Sequence, residues 1–310
     1  MITRCPSLAV IAGPTASGKS ALALELAQRT GGVLVNADSA QVYRDLPILS
    51  AAPSAEDLGK AEHRLYGVLD GSSACSAADW AALAVCEIDD VHASGRLPIL
   101  LGGTGLYLRT LLDGIAPVPE IDAAIRAEVR GSSTEDNLKR LGSLDGEAAQ
   151  RLKPNDTTRI ARALEVVVST RRTLRDWQAE RTGGIGNRVA LQPLILLPPR
   201  DWLFERCDRR FAQMIESGAL EEVRRLLDRA LDPELPIMRA IGVPELTAFV
   251  RRTVKLEDAV ATAQQSTRRY AKRQYTWFAH QPPAEWPRFT DPCENVGIAD
   301  ALGLIEIQPT

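Results

Sequence analysis

Short apolar runs alternate with segments of helical periodicity over the first part of the chain. The runs at 8–12, 33–37 and 97–101 predict buried strands. The segments at 21–29 and 76–93 place apolar residues at helical spacing, and the second follows a serine that suits a helix N-cap. This alternation is typical of an α/β domain with a parallel sheet.

The second part of the chain is predominantly helical. A proline-punctuated link at 116–121 is followed by helical periodicity from 122 to about 180. A strand is then predicted at 189–197, with further helices at 202–216, 220–230 and 256–279. An all-helical block between strands indicates a helical domain inserted into an α/β domain.

We therefore expect an α/β core in two parts, 1–118 and 188–285, an inserted all-helical domain at 119–187, and a C-terminal tail at 286–310. The length of 310 residues exceeds the usual size of a single domain and agrees with this division. The residues from Pro282 onward are proline-rich at first and show no pattern that indicates chemistry.

The composition is that of an ordinary globular protein, with 45% hydrophobic and 25% charged residues. No stretch approaches the roughly 20 apolar residues that span a bilayer, and the first strand lies so near the N-terminus that we expect no cleaved signal. The five cysteines are scattered without a C-x-x-C pair, which argues against a zinc site. We expect a cytoplasmic protein with no membrane partner.

A phosphate-binding motif, GPTASGKS at 13–20, lies between the first predicted strand and the first predicted helix. It fits G-x-x-x-x-G-K-[ST], in which backbone N–H groups and a helix N-terminus hold phosphate oxygens. We predict a P-loop core, with Mg²⁺ as cofactor and the Ser20 hydroxyl as its ligand. The predicted phosphate-binding residues are Gly13, Pro14, Thr15, Ala16, Ser17, Gly18, Lys19 and Ser20.

Two other predicted strands are followed by residues that could take part in catalysis or ligand binding. Asp38 follows the second strand, where an acid serves either as a magnesium ligand or as a general base, and spacing alone does not separate these roles. The third strand ends in Gly102, Gly103 and Thr104 rather than in an acid. The glycines suit close approach of a ligand to the backbone or, more simply, a turn.

Basic residues cluster locally although the formal net charge is -3. Each cluster is either a solvated helix face or a surface for nucleic acid. Asp156 is predicted to cap the helix of the first cluster. The clusters are Arg159, Arg162, Arg171, Arg172 and Arg175; Arg206, Arg209 and Arg210; and Arg268, Arg269, Lys272 and Arg273.

In the order and separation of its motifs, the chain resembles the bacterial tRNA dimethylallyltransferases from about residue 8 to residue 286. The matching motifs are GPTASGKS at 13–20, DSAQVYRDLPI at 38–48, HRL at 63–65, SAADW at 76–80, LPILLGGTGLY at 97–107, PNDTTRIARALEV at 154–166, RCDRRFAQMIESGALEEV at 206–223, LPIMRAIGVPEL at 235–246 and TRRYAKRQYTWF at 267–278. Ala40 replaces a usual methionine, and Ala52 replaces a common lysine, so no lysine contact is expected from that loop.

This resemblance implies transfer of a dimethylallyl group from dimethylallyl diphosphate to N6 of the adenine on the 3′ side of the anticodon. The implied partners are that diphosphate and the tRNA anticodon stem-loop, and we expect a monomer. The implied catalytic residues are Asp38 as base, Thr104, Lys19 and Arg210. The implied tRNA-binding residues are Asp38, Ser39, Ala40, Gln41, Thr104, Arg126, Thr158, Arg159, Ile160, Ala161, Arg162, Arg239 and Gly242.

Three alternatives to this function remain open from the sequence. A small-molecule or nucleotide kinase would hold ATP in the P-loop and need no RNA. An adenylate isopentenyltransferase would prenylate a free nucleotide, which does not require the long helical insert. A non-catalytic RNA-binding protein would leave Lys19, Asp38 and Thr104 without a role.

Overall fold

The computed structural model describes residues 5–294 and 296–305. The chain forms two compact units, the first from Met1–Leu112 with Ile185–Thr310 and the second from Asp113–Gly184. The ends of the expected segments 1–118 and 286–310 therefore lie partly outside the described residues.

The first unit is built on a parallel sheet of six strands in the order β3-β2-β4-β1-β5-β6. The prediction of an α/β P-loop core with a parallel sheet is confirmed. The strands are β1 (Ser7–Ala12), β2 (Val33–Asn36), β3 (Glu62–Arg64), β4 (Pro98–Gly102), β5 (Ala190–Leu196) and β6 (Arg288–Phe289).

Helices cover both faces of this sheet, as its buried apolar strands require. One apolar cluster includes Val10 and Trp80, and a second includes Ile11 and Leu22, because successive strand residues face opposite sides. The helices of this unit are α1 (Lys19–Thr30), α2 (Ala55–Lys60), α3 (Ala77–Ala93) and α4 (Gly105–Asp113), which reaches the unit boundary, and, after the second unit, α10 (Arg200–Glu216), α11 (Ala219–Asp228), a 3₁₀ helix (Pro236–Arg239), α12 (Val243–Val250), α13 (Leu256–His280) and α14 (Val296–Leu302).

The second unit is all-helical and has its own small apolar core, which includes Val129, Leu141, Ile160 and Leu164. The predicted cap of α8 is present, since the Asp156 side chain accepts a hydrogen bond from the N–H of Arg159. Its helices are α5 (Ala123–Gly131), α6 (Thr134–Leu144), α7 (Gly146–Arg151), α8 (Thr157–Thr170) and α9 (Leu174–Ala179).

The boundaries of the second unit differ from the expected insert at 119–187 for identifiable reasons. Ile115 and Thr182 form an antiparallel bridge that ties the linking residues to the helical unit. Ile185 instead donates its N–H to Leu111 and is buried in the core of the first unit.

Two strands were not expected from the pattern. The sequence of β3, Glu-His-Arg, has no apolar run that would predict a strand, and β3 pairs with β2 at the sheet edge. β6 contains only two residues and lies in the expected tail. Beyond it, Ala301 and Leu302 of α14 are buried in the same cluster as Leu22 and Leu26 of α1.

The three strands that precede the predicted functional residues are neighbours in the sheet. β4 pairs with both β1 and β2, and all three run in the same direction. Their carboxyl ends therefore lie side by side, where open parallel sheets bind ligands. This order brings the P-loop, Asp38 and Thr104 to one edge of the sheet.

Candidate active site

The P-loop leads directly from β1 into the N-terminus of α1. Gly18 adopts a left-handed conformation, with φ of 96°, immediately before α1 begins at Lys19. This conformation favours glycine and turns the chain from loop to helix. A cavity of about 410 Å³ is lined by loop residues from Thr15 to Ser20 and by Arg206, Arg209 and Arg210. Helix N-terminal N–H groups and three arginines together form a site for an anion.

Lys19 is half-buried and lines this cavity. Its Nζ donates a hydrogen bond to the carbonyl oxygen of Pro14, 2.7 Å away. The pKa of Lys19 is lowered to about 8, chiefly by burial and also by the positive charge of Arg210, while the negative charge of Asp38 opposes the shift. A group with this pKa changes its charge readily when an anion binds.

Two arginines of α10 contact the P-loop from the other side of the cavity. Arg210 donates to the Thr15 hydroxyl, and Arg206 donates to the carbonyl oxygen of Ala16 at 3.0 Å. Burial lowers the pKa of both guanidinium groups. Arg206 also pairs with Glu294 of the segment after β6.

Asp38 lies in a tight turn after β2 that is held by Asn36. The fully buried Asn36 side chain accepts from the N–H of Asp38 at 2.8 Å and donates to its carbonyl oxygen at 3.0 Å. It also donates to the carbonyl oxygen of Leu65 at 3.0 Å. One Asp38 carboxylate oxygen accepts from the N–H of Ala40 at 2.9 Å. The carboxylate is therefore oriented by the backbone and remains half-buried at the cavity wall.

The Thr104 hydroxyl contacts Ser39, the neighbour of Asp38. It accepts from the N–H of Ser39 at 3.1 Å and lies 3.4 Å from the Ser39 hydroxyl. Thr104 thus joins the end of β4 to the turn after β2, and it does not line either of the cavities that contain Asp38.

A second cavity, of about 350 Å³, adjoins the P-loop cavity. Thr15, Asp38, Ser50 and Arg210 line both. The second cavity has many apolar and aromatic side chains in its wall and also contains polar groups. The side chains that form this wall include Tyr43, Leu46, Leu49, Phe211, Met214, Ile237 and Tyr270. Asp38 and Arg210 therefore lie where the P-loop cavity, which suits an anion, meets the apolar cavity.

The two glycines after β4 are required by packing within the protein. A Cβ atom at Gly102 would collide with the carbonyl oxygen of Ala37, and one at Gly103 would collide with Nε2 of Gln274. The carbonyl oxygen of Gly103 accepts from Nε2 of Gln274 at 2.7 Å and is therefore bonded within the protein.

The residues of the first unit predicted to bind tRNA lie near the same cavities. Ser39, Ala40 and Arg239 line the apolar cavity, and Gln41 lines the P-loop cavity. Gly242 begins α12 with φ of 97°, and its N–H donates to Glu245 at 2.9 Å. The structure thus gives Gly242 a conformational role.

In the second unit, the predicted residues lie on α5 and on the first turns of α8. Arg159 is exposed, with 77% of its side chain accessible, and Arg162 is partly exposed. Ile160 is fully buried in the core of this unit, and its place among the tRNA-binding residues stays a prediction. Arg162 lies 3.8 Å from the buried carboxylate of Glu165. The remaining predicted residues are Arg126 on α5, and Thr158 and Ala161 on α8.

The P-loop cavity offers oxygen donors that suit Mg²⁺. Ser20 is exposed in the P-loop cavity, and Asp38 lines the same cavity. Among the described residues, no cluster of three histidine, cysteine or acidic side chains suits a metal. This donor set fits a magnesium ion that takes most of its ligands from phosphate oxygens and water.

Several residues of the site were not predicted from the sequence. Tyr270 lines the apolar cavity, and Glu222 accepts from the N–H groups of Ile48 and Leu49. Gln274 contacts both Thr15 and Gly103. Motif spacing carries no signal for these contacts, because each partner is distant in the chain.

Comparison with known proteins identifies the family. The family model described as IPP transferase matches residues 41–281, which is more than half of the chain. The chain belongs to the IPP transferase family. The resemblance to tRNA dimethylallyltransferases is thereby confirmed.

Relatives of this IPP transferase are similar along nearly the whole chain. A tRNA dimethylallyltransferase of Sphingopyxis alaskensis is 58% identical over 96% of this chain and 97% of its own length. One of Zymomonas mobilis is 50% identical over 96% of each chain. These matches favour prenyl transfer over the kinase hypothesis.

Solved structures of the family have the same fold. The full-length tRNA isopentenylpyrophosphate transferase of Bacillus halodurans is 32% identical, with a TM-score of 0.69 over 95% of this chain and 93% of its own. A eukaryotic dimethylallyltransferase captured acting on tRNA is 29% identical, with a TM-score of 0.75 over 88% of this chain and 69% of its own. Among the described residues of this IPP transferase, no helix is long and apolar enough to span a membrane.

Proposed function

We propose that this IPP transferase transfers the dimethylallyl group of dimethylallyl diphosphate to N6 of the adenine on the 3′ side of the anticodon in tRNA. The supporting observation is the junction of two cavities at Asp38 and Arg210. One cavity offers P-loop N–H groups and arginines to a diphosphate, and the other offers aromatic and aliphatic walls to a base.

The diphosphate end of the site stabilises the leaving group. As the allylic C–O bond breaks, negative charge grows on the diphosphate while positive charge develops on the allyl carbon. Lys19, the loop N–H groups and Arg210 bind the diphosphate more strongly in the transition state, where this charge develops, than in the ground state. This difference accelerates the step. Mg²⁺ at Ser20, when bound, neutralises further phosphate charge.

The acceptor end activates a weak nucleophile. The exocyclic amine of adenine is weakly nucleophilic because its lone pair is delocalised into the purine ring. Asp38 accepts a proton from this amine as the new C–N bond forms. The proton is then on the Asp38 carboxyl group when diphosphate departs. The Asn36 hydrogen bonds orient the turn for this transfer, and Thr104 supports it through Ser39.

The base reaches this cavity after leaving the stacked anticodon loop. Unstacking costs a few kcal/mol, and the aromatic wall at Tyr43 and Tyr270 offsets part of this cost. The exposed arginines of the helical unit, Arg159 and Arg162, bind phosphates of the anticodon stem. The protein acts as a cytoplasmic monomer in this proposal.

The decisive experiment incubates the purified protein with Mg²⁺, dimethylallyl diphosphate and unmodified tRNA, followed by nuclease digestion and mass spectrometry. Isopentenyladenosine at the position after the anticodon is the expected product. ATP serves as the control donor and AMP as the control acceptor. ATP consumption without RNA would support the kinase, and prenylation of AMP would support an adenylate isopentenyltransferase.

Light scattering tests the oligomeric state. A mass near 33.7 kDa is expected for the free protein. A stable dimer would contradict the proposed monomer without affecting the proposed reaction.

A further inference from the structure

The buried side chain of Gln274 joins the P-loop to the end of β4. Its Oε1 accepts the N–H of Thr15 at 2.8 Å, and its Nε2 donates to the carbonyl oxygen of Gly103 at 2.7 Å. Only 6% of this residue is exposed. The orientation of the amide follows from its partners, because a backbone N–H only donates and a carbonyl oxygen only accepts.

Both partners of Gln274 are next to groups of the proposed reaction. Thr15 carries the hydroxyl that Arg210 contacts, and its loop holds the diphosphate in the proposed function. Gly103 precedes Thr104, which is bonded to Ser39 beside Asp38. The Gln274 amide thus connects the donor side of the site to its acceptor side.

The local structure leaves little freedom for this connection. A side chain at position 103 would collide with Nε2 of Gln274, so glycine at that position is needed for the contact. On the same helix, α13, Tyr270 and Arg273 line the apolar cavity. One helix therefore both forms a wall of the acceptor cavity and fixes the P-loop.

We propose that Gln274 is a positioning residue that sets the spacing between the bound diphosphate and the acceptor amine. This inference rests on the proposed function. Group transfer requires the reacting atoms about 3–3.5 Å apart, and a misplacement of about 1 Å costs up to roughly a hundredfold in rate. Loss of the Gln274 bonds should therefore lower kcat more than it raises KM for either substrate.

The substitution Gln274→Glu gives a readout that general destabilisation would not. An ionised carboxylate accepts from Thr15 but repels the Gly103 carbonyl oxygen, whereas a protonated carboxyl group makes both original bonds. We expect the ratio of Gln274→Glu to wild-type kcat to rise by about tenfold or more from roughly pH 8 to pH 6. Taking this ratio removes the pH dependence shared by both proteins.

The size-matched variant Gln274→Met should stay impaired at every pH, with kcat lowered by about tenfold or more. Gln265→Glu is the matched control, since Gln265 is exposed on the same helix, and its activity should follow the wild type. A pH-independent ratio for Gln274→Glu, or wild-type kcat for Gln274→Met, would overturn the inference.

Hydrogen exchange of the peptide covering 13–20 separates this inference from the proposed function. Faster exchange of the loop in Gln274→Met, with protection restored in Gln274→Glu only at low pH, is expected whatever the substrate. If the wild-type protein shows no prenyl transfer, the proposed function is refuted, and with it the catalytic role of the spacing. Unchanged loop protection in both variants would refute the connection itself.

Discussion

The Lys19 ammonium group donates its hydrogen bond to the carbonyl oxygen of Pro14 in its own loop, at 2.7 Å. The same lysine lines the P-loop cavity. Binding of diphosphate must compete with this bond, and it must also favour the protonated amine, whose pKa is lowered to about 8. The charge state of Lys19 is therefore coupled to donor binding.

Donor binding should weaken as the pH rises above about 8. A lysine with a lowered pKa loses its proton in the free enzyme there, and the neutral amine no longer attracts diphosphate. We expect kcat/KM for the donor to approach a decline of about tenfold per pH unit above this point. Steady-state kinetics at saturating tRNA measures it.

Lys19→Arg is the matched variant for this prediction, because arginine keeps its charge over the whole range. The kcat/KM of Lys19→Arg for the donor should be lower than that of wild type. It should not change with pH above 8, because the group with a pKa of about 8 has been replaced. The same pH decline in Lys19→Arg would assign the titration to another group. Lys19→Ala should weaken donor binding but leave tRNA binding nearly unchanged.

Replacement of the proposed base should separate binding from chemistry. Asp38→Asn preserves the shape of the side chain, and its amide oxygen can still accept from the N–H of Ala40. We expect tRNA affinity within about twofold of wild type and kcat lower by about a hundredfold or more. Filter binding and single-turnover prenylation measure the two quantities, and normal turnover would exclude Asp38 as the base.

The residues predicted from the sequence are those whose signal is local. GPTASGKS predicts its loop because spacing within eight residues and the flanking strand and helix are enough. Asp38 and Thr104 each follow a predicted strand, and the structure brings them to the P-loop because the carboxyl ends of parallel strands meet at one sheet edge. The helical insert is predicted because helical periodicity continues from 122 to about 180 without a strand-like run.

The contacts that fix this site could not be predicted in the same way. Gln274 bonds residues 259 and 171 positions away, and Glu222 bonds Ile48 across 174 positions. Such pairs depend on how helices pack against loops, which a periodic pattern does not specify. β3 was missed for a related reason, since its pairing with β2 rather than its own polar sequence makes it a strand.

Glu222 should be important for the loop that carries Leu49, part of the apolar cavity wall. Its buried carboxylate accepts the N–H groups of Ile48 at 2.7 Å and Leu49 at 2.9 Å. Burial raises the pKa of Glu222, while these two hydrogen bonds oppose the rise. Gln offers only one acceptor oxygen, so Glu222→Gln leaves one of these two N–H groups without its partner.

We expect Glu222→Gln to lower the free energy of unfolding by about 1–3 kcal/mol. Glu221→Gln is the control, because Glu221 is the exposed neighbour on α11 and its ion pair with Arg224 contributes about 1 kcal/mol or less. Urea denaturation compares the two variants. Equal destabilisation would show that the Glu222 hydrogen bonds do not hold this loop.

The exposed arginines of α8 should account for part of the salt dependence of tRNA binding. Arg159 and Arg162 are accessible, and the second lies near buried Glu165, which limits its orientations. An arginine that binds one phosphate releases condensed counterions, so its loss lowers the slope of log K against log salt by about 0.7–0.9. Arg159→Ala and Arg162→Ala should each show this change in binding titrations between roughly 50 and 200 mM salt.

Arg175→Ala is the matched control within the same helical unit. Arg175 is also exposed, with 67% of its side chain accessible, but it pairs with Glu147 on α7. Its neutralisation should leave the salt slope unchanged, since Arg175 is not among the residues predicted to bind tRNA. Equal salt slopes for all three variants would mean that α8 contributes only general positive charge to tRNA binding. A change of slope confined to the Arg159 and Arg162 variants would place phosphate contacts at these two residues.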